Sequence, residues 1–261
     1  MKFIMQADEE IDLDRIILEE TLKRNHFIHE YTKVKMSELN DILLSSDISD
    51  AIPIGTIEFV TKYMSITTGL IKENPIEIPK YLRTEEFLKR EYNIVTWDKI
   101  PRSGRYFLKD ASTLKHFSYN GNLEFFIQED MFEKPKHIFD TSLRLSKDAL
   151  YVVSEEVGIL AEYRVYVIDS KISAMAQYDG SPIIVPDMQL VDKAIKEISK
   201  HEKWLKSYTI DIMVTRAGTC IIEIHNFTSC GLYTTMIGDD LVLAYRQGID
   251  YLKYDNKEIE I

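Results

Sequence analysis

The chain has 261 residues, 45% hydrophobic and 29% charged. That suits one large globular domain or two small ones and excludes a disordered chain. Its formal net charge of −11 is shared almost evenly between residues 1–100 and the remainder. With no basic lobe to neutralise phosphates, non-specific nucleic-acid binding is disfavoured, while a local basic pocket stays possible. Cys220 and Cys230 provide neither a disulfide framework nor C-x-x-C metal spacing. The first residues reach Asp8, Glu9 and Glu10 without a signal-peptide core, and no apolar run nears the roughly 20 residues that span a bilayer. A cytoplasmic protein with no membrane segment is expected, its oligomeric state left open.

In chain order, residues 2–5 read as a short buried strand and 8–24 as an amphipathic helix with Leu13, Ile16, Ile17 and Leu22 near helical spacing. A second strand is predicted over 26–31 and a third over 51–54. A helix then carries Ile57, Val60 and Met64 up to a C-cap at Gly69. Strands alternating with helices predict a small α/β domain. After a strand at 92–97, the turn at Ile100-Pro101-Arg102-Ser103-Gly104 marks the expected boundary, dividing the chain into 1–102 and 103–261. The second region is α+β and antiparallel. Strands are predicted at 105–108, 123–128 and 150–153. One hairpin joins 161–168 to 172–178 across Asp169-Ser170-Lys171, and another joins 208–214 to 219–224. Helices are predicted over 191–201 and 240–252.

Asp211 and Glu223 sit on the arms of the second hairpin, each among apolar neighbours. An acid in a β-branched run is costly to bury unless paired or bound to a cation, and a hard divalent ion such as Mg²⁺ would relieve two of them at once. The alternative is that one acid points to solvent; two acids with His225 and Asn226 adjacent favour the metal. Lys109 ends a strand and Lys115 follows in a loop. Such lysines can deliver a point charge to phosphate, or be solvated surface residues. Alternation puts Arg164 on the same face as Glu162, either as a phosphate- or carboxylate-binding fork or as a surface pair. The loop Asn226-Phe-Thr-Ser-Cys-Gly-Leu-Tyr offers hydroxyls and backbone N–H groups to an anion.

Taken in order, Lys109, Lys115, Arg164, Asp211 and Glu223 resemble the ATP-grasp superfamily, and most closely its clade named for one arginine and two lysines. The strings Phe-Leu-Lys-Asp, Glu-Tyr-Arg-Val-Tyr-Val, Tyr-Thr-Ile-Asp-Ile and Ile-Ile-Glu-Ile-His-Asn-Phe carry the resemblance, with Ile52-Pro-Ile-Gly-Thr-Ile-Glu-Phe-Val in the N-terminal part. It implies a small Rossmann-like α/β domain followed by a two-lobed α+β ATP-grasp domain that holds ATP and Mg²⁺. It also implies an adenine hinge at residues 153–158, including Glu155, Glu156, Val157 and Gly158, with Glu162 on the ribose. Lys109 and Lys115 would contact phosphates, and Arg164 would steady the transferred group. Asp211, Glu223 and either His225 or Asn226 would hold metal. Thr228, Ser229 and Gly231 would lie at the acceptor substrate.

One departure stands out. The superfamily pattern is Glu-x-Asn, whereas this chain reads Glu223-Ile224-His225-Asn226. Imidazole is a poorer Mg²⁺ ligand than an amide or carboxylate oxygen. Either Asn226 takes over through a bulge or the site uses His225. The implied reaction is ADP-forming carboxylate–amine ligation through an acyl phosphate, on a small molecule or peptide. A phosphotransferase and a catalytically weak nucleotide-binding protein are the alternatives.

Overall fold

The computed structural model describes residues 1–8, 13–45, 48–69, 77–111, 118–126, 136–138, 141–143, 147–234, 236 and 238–254. Its N-terminal unit is built from β1 (Lys2–Gln6), α1 (Leu13–Arg24), β2 (Glu30–Val34), α2 (Leu39–Ser45), β3 (Ile52–Ile54) and α3 (Ile57–Thr68). The strands form a parallel sheet in the order β2-β1-β3, with buried Phe3, Ile4 and Met5 at its centre. Parallel neighbours need crossovers, and α1 and α2 supply them. The Thr56 hydroxyl caps α3 by accepting from the Phe59 N–H, and Gly69, at φ 74°, ends the helix with its N–H on the Ser65 carbonyl.

The second strand starts four residues later than expected. The Asn25 carbonyl accepts from the N–H groups of Ile28 and His29, so the chain turns there and leaves Phe27 exposed. The predicted first helix is described only from Leu13. Asp8 lies outside it, and its carboxylate accepts from the Met36 N–H.

After α4 (Glu85–Leu88) come β4 (Tyr92–Thr96), β5 (Arg105–Asp110), β6 (Ser118–Asn122), α5 (Leu123–Phe126), the two-stranded pair β7 (Lys136–Ile138) and β8 (Thr141–Leu143), and β9 (Leu150–Glu155). An antiparallel sheet runs β4-β9-β5-β6. β4 therefore pairs with β9, a strand that lies beyond residue 102 in the sequence. The strand expected over 123–128 is a helical turn at Leu123–Phe126, where the Asn122 side-chain oxygen accepts from the Glu124 N–H. Its last two residues lie outside the described ones.

The chain continues as β10 (Ile159–Ile168), β11 (Lys171–Gly180), α6 (Met188–His201), β12 (Tyr208–Thr215), β13 (Gly218–Asn226) and α7 (Gly238–Tyr254). The second antiparallel sheet runs β11-β10-β12-β13. Asp169 and Ser170 take positive φ at the first hairpin, and Gln247 of α7 accepts from the Asp169 N–H. One face of this sheet shares a continuous core with α6, α7 and the N-terminal unit, through Val165, Ile210, Ile195, Leu241 and Phe59. The sheet β4-β9-β5-β6 keeps its own core of Trp97, Leu108, Tyr151 and Val153. The two larger cores thus lie in separate bodies, and Lys109 of the β4-β9-β5-β6 sheet reaches Glu223 on the polar face of the β10–β13 sheet. No helix among the described residues is long and apolar enough to cross a membrane.

Candidate active site

Arg164, Asp211 and Glu223 are direct cross-strand partners, so one rung of β10, β12 and β13 carries all three. Period-2 alternation puts Glu162 and His225 on the same face. A bulge beyond Asp211 returns the next β13 residues to register with the core. The Arg164–Asp211 pair is bidentate: Nε donates to Oδ1 and Nη2 to Oδ2, both at 2.8 Å, with side chains only 8% and 2% exposed. Burial alone would lower the Arg164 pKa; the bonds and charge of Asp211 outweigh it and hold the guanidinium firmly protonated. Arg164 also donates through Nη1 to the Gly231 carbonyl at 3.3 Å and stacks on Tyr233, 4.8 Å from its ring centre. Tyr166 fixes the same loop, donating to the Gly231 carbonyl and accepting from the Tyr233 N–H. Burial pushes its phenol up to about 12.

Glu223 uses both oxygens. Its Oε1 lies 2.7 Å from His225 Nε2, and its Oε2 lies 3.4 Å from the Lys109 ammonium. His225 Nε2 is also 3.7 Å from Asp211 Oδ2. Lys109, reaching across from β5, is 3.3 Å from Glu77 as well. Burial works against its charge, but Glu77 and Glu223 raise its pKa overall. Burial raises the Glu162 pKa; a bond from Tyr178 opposes this, and Asp179, Asp211 and Glu223 reinforce it. Among the described residues, Glu77, Glu162, Asp211 and Glu223 gather four acids around two permanent cations, Lys109 and Arg164. One ligand atom each from Asp211, Glu223 and His225 falls within 4.8 Å of the others, a separation that fits a single divalent cation.

Other expected residues are placed elsewhere. Asn226 is buried beneath the strand end. Its side-chain oxygen accepts from the Thr228 N–H and hydroxyl at 2.8 and 2.6 Å, and its amide nitrogen donates to the Gly248 carbonyl. This cap occupies Asn226 and Thr228 with each other. The Ser229 side chain and Lys115 lie outside the described residues. Glu155 pairs in register with Tyr106, which puts its side chain on the opposite face of the sheet from Lys109. Glu156 is bound by Arg105, with Nη2 to Oε1 at 2.9 Å. Val157 and Gly158 continue past the strand end, and a methyl group at Gly158 would meet nothing within 4 Å.

The sequence reading missed Glu77, Arg90 and Tyr178. The Glu77 carboxylate is 7% exposed and accepts from the Tyr92 hydroxyl at 2.8 Å. Its only sequence signal was the proline-punctuated stretch around it. Arg90 ties β9 to β13, donating to Ser154 Oγ and the Ile221 carbonyl.

The ATP-grasp domain, R2K clade family 2, matches residues 87–239, which takes in Lys109, Arg164, Asp211, Glu223 and His225. The chain belongs to this family. Similar solved structures include D-cycloserine synthetase DcsG (TM-score 0.60, 10% identity, 96% of this chain and 99% of that one). The ATP-grasp ligase PsnB complexed with minimal precursor gives 0.56, 13%, 94% and 98%. D-alanine–D-alanine ligase from Bacillus anthracis complexed with ATP gives 0.53, 14%, 98% and 99%. At these identities the likeness concerns the fold. No curated protein matches. Glu77 lies N-terminal to the matched R2K ATP-grasp residues, so one partner of Lys109 comes from outside that segment.

Proposed function

We propose that the protein is an ATP- and divalent-metal-dependent carboxylate–amine ligase acting on a small molecule or a peptide. The carrying observation is the convergence of Lys109, from one sheet, on Glu223, beside Arg164, Asp211 and His225 of the other. Similarity to a D-alanine–D-alanine ligase, a D-cycloserine synthetase and an ATP-grasp ligase complexed with a minimal precursor supports the reading.

Bound in this cleft, ATP would supply the phosphoryl group that activates a carboxylate toward an amine, and the divalent ion would spread the charge of its phosphates. Residues 153–158, where β9 ends in open backbone, would meet the adenine, and Glu162 the ribose. Lys109 would place its charge on the phosphates, oriented by Glu77 and Glu223. Lys115 is the second lysine proposed for them. Asp211 holds Arg164 rigid, and Gly231 takes a third of its five donors. The remaining N–H groups would face the transferred phosphoryl, already desolvated and aimed. The Gly231–Tyr233 loop, tied to Arg164 and Tyr166, would border the acceptor substrate.

The test is nucleotide binding followed by substrate screening with amino acids and short peptides. Metal-dependent release of ADP and phosphate is expected, with hydroxamate formation when hydroxylamine is added, and loss of both in Lys109→Ala and Glu223→Ala. A folded protein that binds no ATP at millimolar concentration overturns the reading. ADP release without hydroxamate would turn it to hydroxyl phosphorylation.

A further inference from the structure

The donor set differs in kind from an all-oxygen magnesium site. We propose that the metal position of this cleft takes a first-row transition divalent ion, ligated directly by His225 Nε2, in preference to Mg²⁺. This rests on the nucleotide-site reading above and adds the class of ion.

Three observations carry it. First, the imidazole points at the carboxylates. His225 Nε2 stands 2.7 Å from Glu223 Oε1 and 3.7 Å from Asp211 Oδ2. Neighbouring donors of an octahedral ion with bonds near 2.1 Å lie about 3 Å apart, so these two distances bracket the required spacing. Both carboxylates keep acceptor capacity, since each ionised carboxylate offers about four lone-pair sites. Asp211 spends one on each oxygen with Arg164.

Second, the adjacent Asn226 amide does not substitute. Asn226 is committed to Thr228 and Gly248, and strand alternation turns it away from the face that holds Glu223 and His225. Third, Thr209 is the cross-strand partner of His225 and is fully buried. Its hydroxyl has no hydrogen-bond partner among the described residues. A hydroxyl orphaned on the site's face is suited to a water of the ion's coordination shell.

The chemistry follows from the ligands. Mg²⁺ binds oxygen and gains little from imidazole, whereas first-row transition ions gain from nitrogen donors in the Irving–Williams order. Mn²⁺ tolerates carboxylate and phosphate oxygens along with one imidazole and serves as the probe.

The experiment titrates Mn²⁺ into full-length protein carrying a non-hydrolysable ATP analogue, followed by electron paramagnetic resonance. Pulsed measurements are expected to show a nitrogen coupling from a directly bound imidazole. The coupling should change from ¹⁴N to ¹⁵N when the protein is made with ¹⁵N-histidine, which excludes the adenine as its source. In His225→Asn the coupling should vanish while Mn²⁺ still binds. Mg²⁺ should displace Mn²⁺ at least about tenfold more readily from the variant than from the wild type. The wild-type measurement alone decides the matter if the variant fails to fold. Bound Mn²⁺ without histidine coupling overturns this inference and leaves the ligase reading intact. No Mn²⁺ binding to protein that carries the nucleotide overturns this inference alone, and a folded protein that binds neither Mn²⁺ nor nucleotide overturns both.

Discussion

Replacing Asp211 by Asn removes one charge from a pair that the fold has taken out of water. Arg164 would keep its guanidinium, 8% exposed, facing an amide where two oxygens now accept at 2.8 Å. Charges about 4 Å apart at an effective dielectric of 20 attract by about 4 kcal/mol. Breaking a buried pair from one side costs about 3–5 kcal/mol, mostly because the partner stays buried and uncompensated. Relief of repulsion with Glu162 and Glu223 moves the expectation to the lower part of that range. In a chain of this size each kcal/mol shifts the melting midpoint by about 2–4 °C, so Asp211→Asn should lower it by about 6–12 °C. Arg164→Met combined with Asp211→Leu removes both charges and should recover most of the loss. The assay is thermal and urea unfolding of wild type, Asp211→Asn and the double variant, without nucleotide or metal. A drop below about 2 °C for Asp211→Asn, or a double variant no more stable than Asp211→Asn, would refute the argument that this pair is a buried, mutually dependent unit.

Four further outcomes are expected. The Glu162 pKa is raised in the folded state, so its stabilising contribution is complete below the ordinary glutamate value and is lost as pH rises through the folded one. Glu162→Gln should therefore raise the melting temperature at pH 7.5 and give no gain at pH 4, and equal shifts at both would contradict the assignment. Gly180→Ala should cost about 1–3 kcal/mol, because φ is 83° and the new methyl would stand 2.4 Å from the Leu160 carbonyl oxygen and 2.5 Å from Ala161 Cα. Gly158→Ala, in open space, should leave the unfolding midpoint within error. Glu77→Gln should weaken binding of an ATP analogue by about fivefold or more, since an ionic bond that orients Lys109 is lost. Calorimetry should find no additional effect of Glu77→Gln in a Lys109→Ala background if Glu77 acts through that lysine.

Both long hairpins were legible because their causes are local. Alternating apolar residues flank Asp169-Ser170 and Ala217-Gly218, and those residues accept the positive φ or sharp turn required. Asp211 and Glu223 were legible for a related reason, whereas Lys109 and Arg164 joined them only through the resemblance to the ATP-grasp superfamily. Charged residues embedded in strand-like runs are expensive, and each demands a partner. The strand expected over 26–31 failed where Asn25 captured two backbone N–H groups. The strand expected from 123 failed where Asn122 capped a helical turn. In both cases one side-chain or carbonyl acceptor outweighed hydrophobic pattern, and a pattern count does not register it.

By itself, then, the sequence determined which residues had to find partners and which strands would carry them, since propensity, alternation and turn chemistry act within a few positions. Tertiary structure decided the pairings. Cross-strand register set Arg164 opposite Asp211 and Asp211 opposite Glu223. The packing of two separate sheets brought Lys109 and Glu77 to the same carboxylate cluster. Between adjacent His225 and Asn226, the pleat of β13 chose the imidazole for the cleft and left the amide to cap the strand end. Neighbouring strand residues point to opposite faces, and only the assembled sheet determines which face looks into the site.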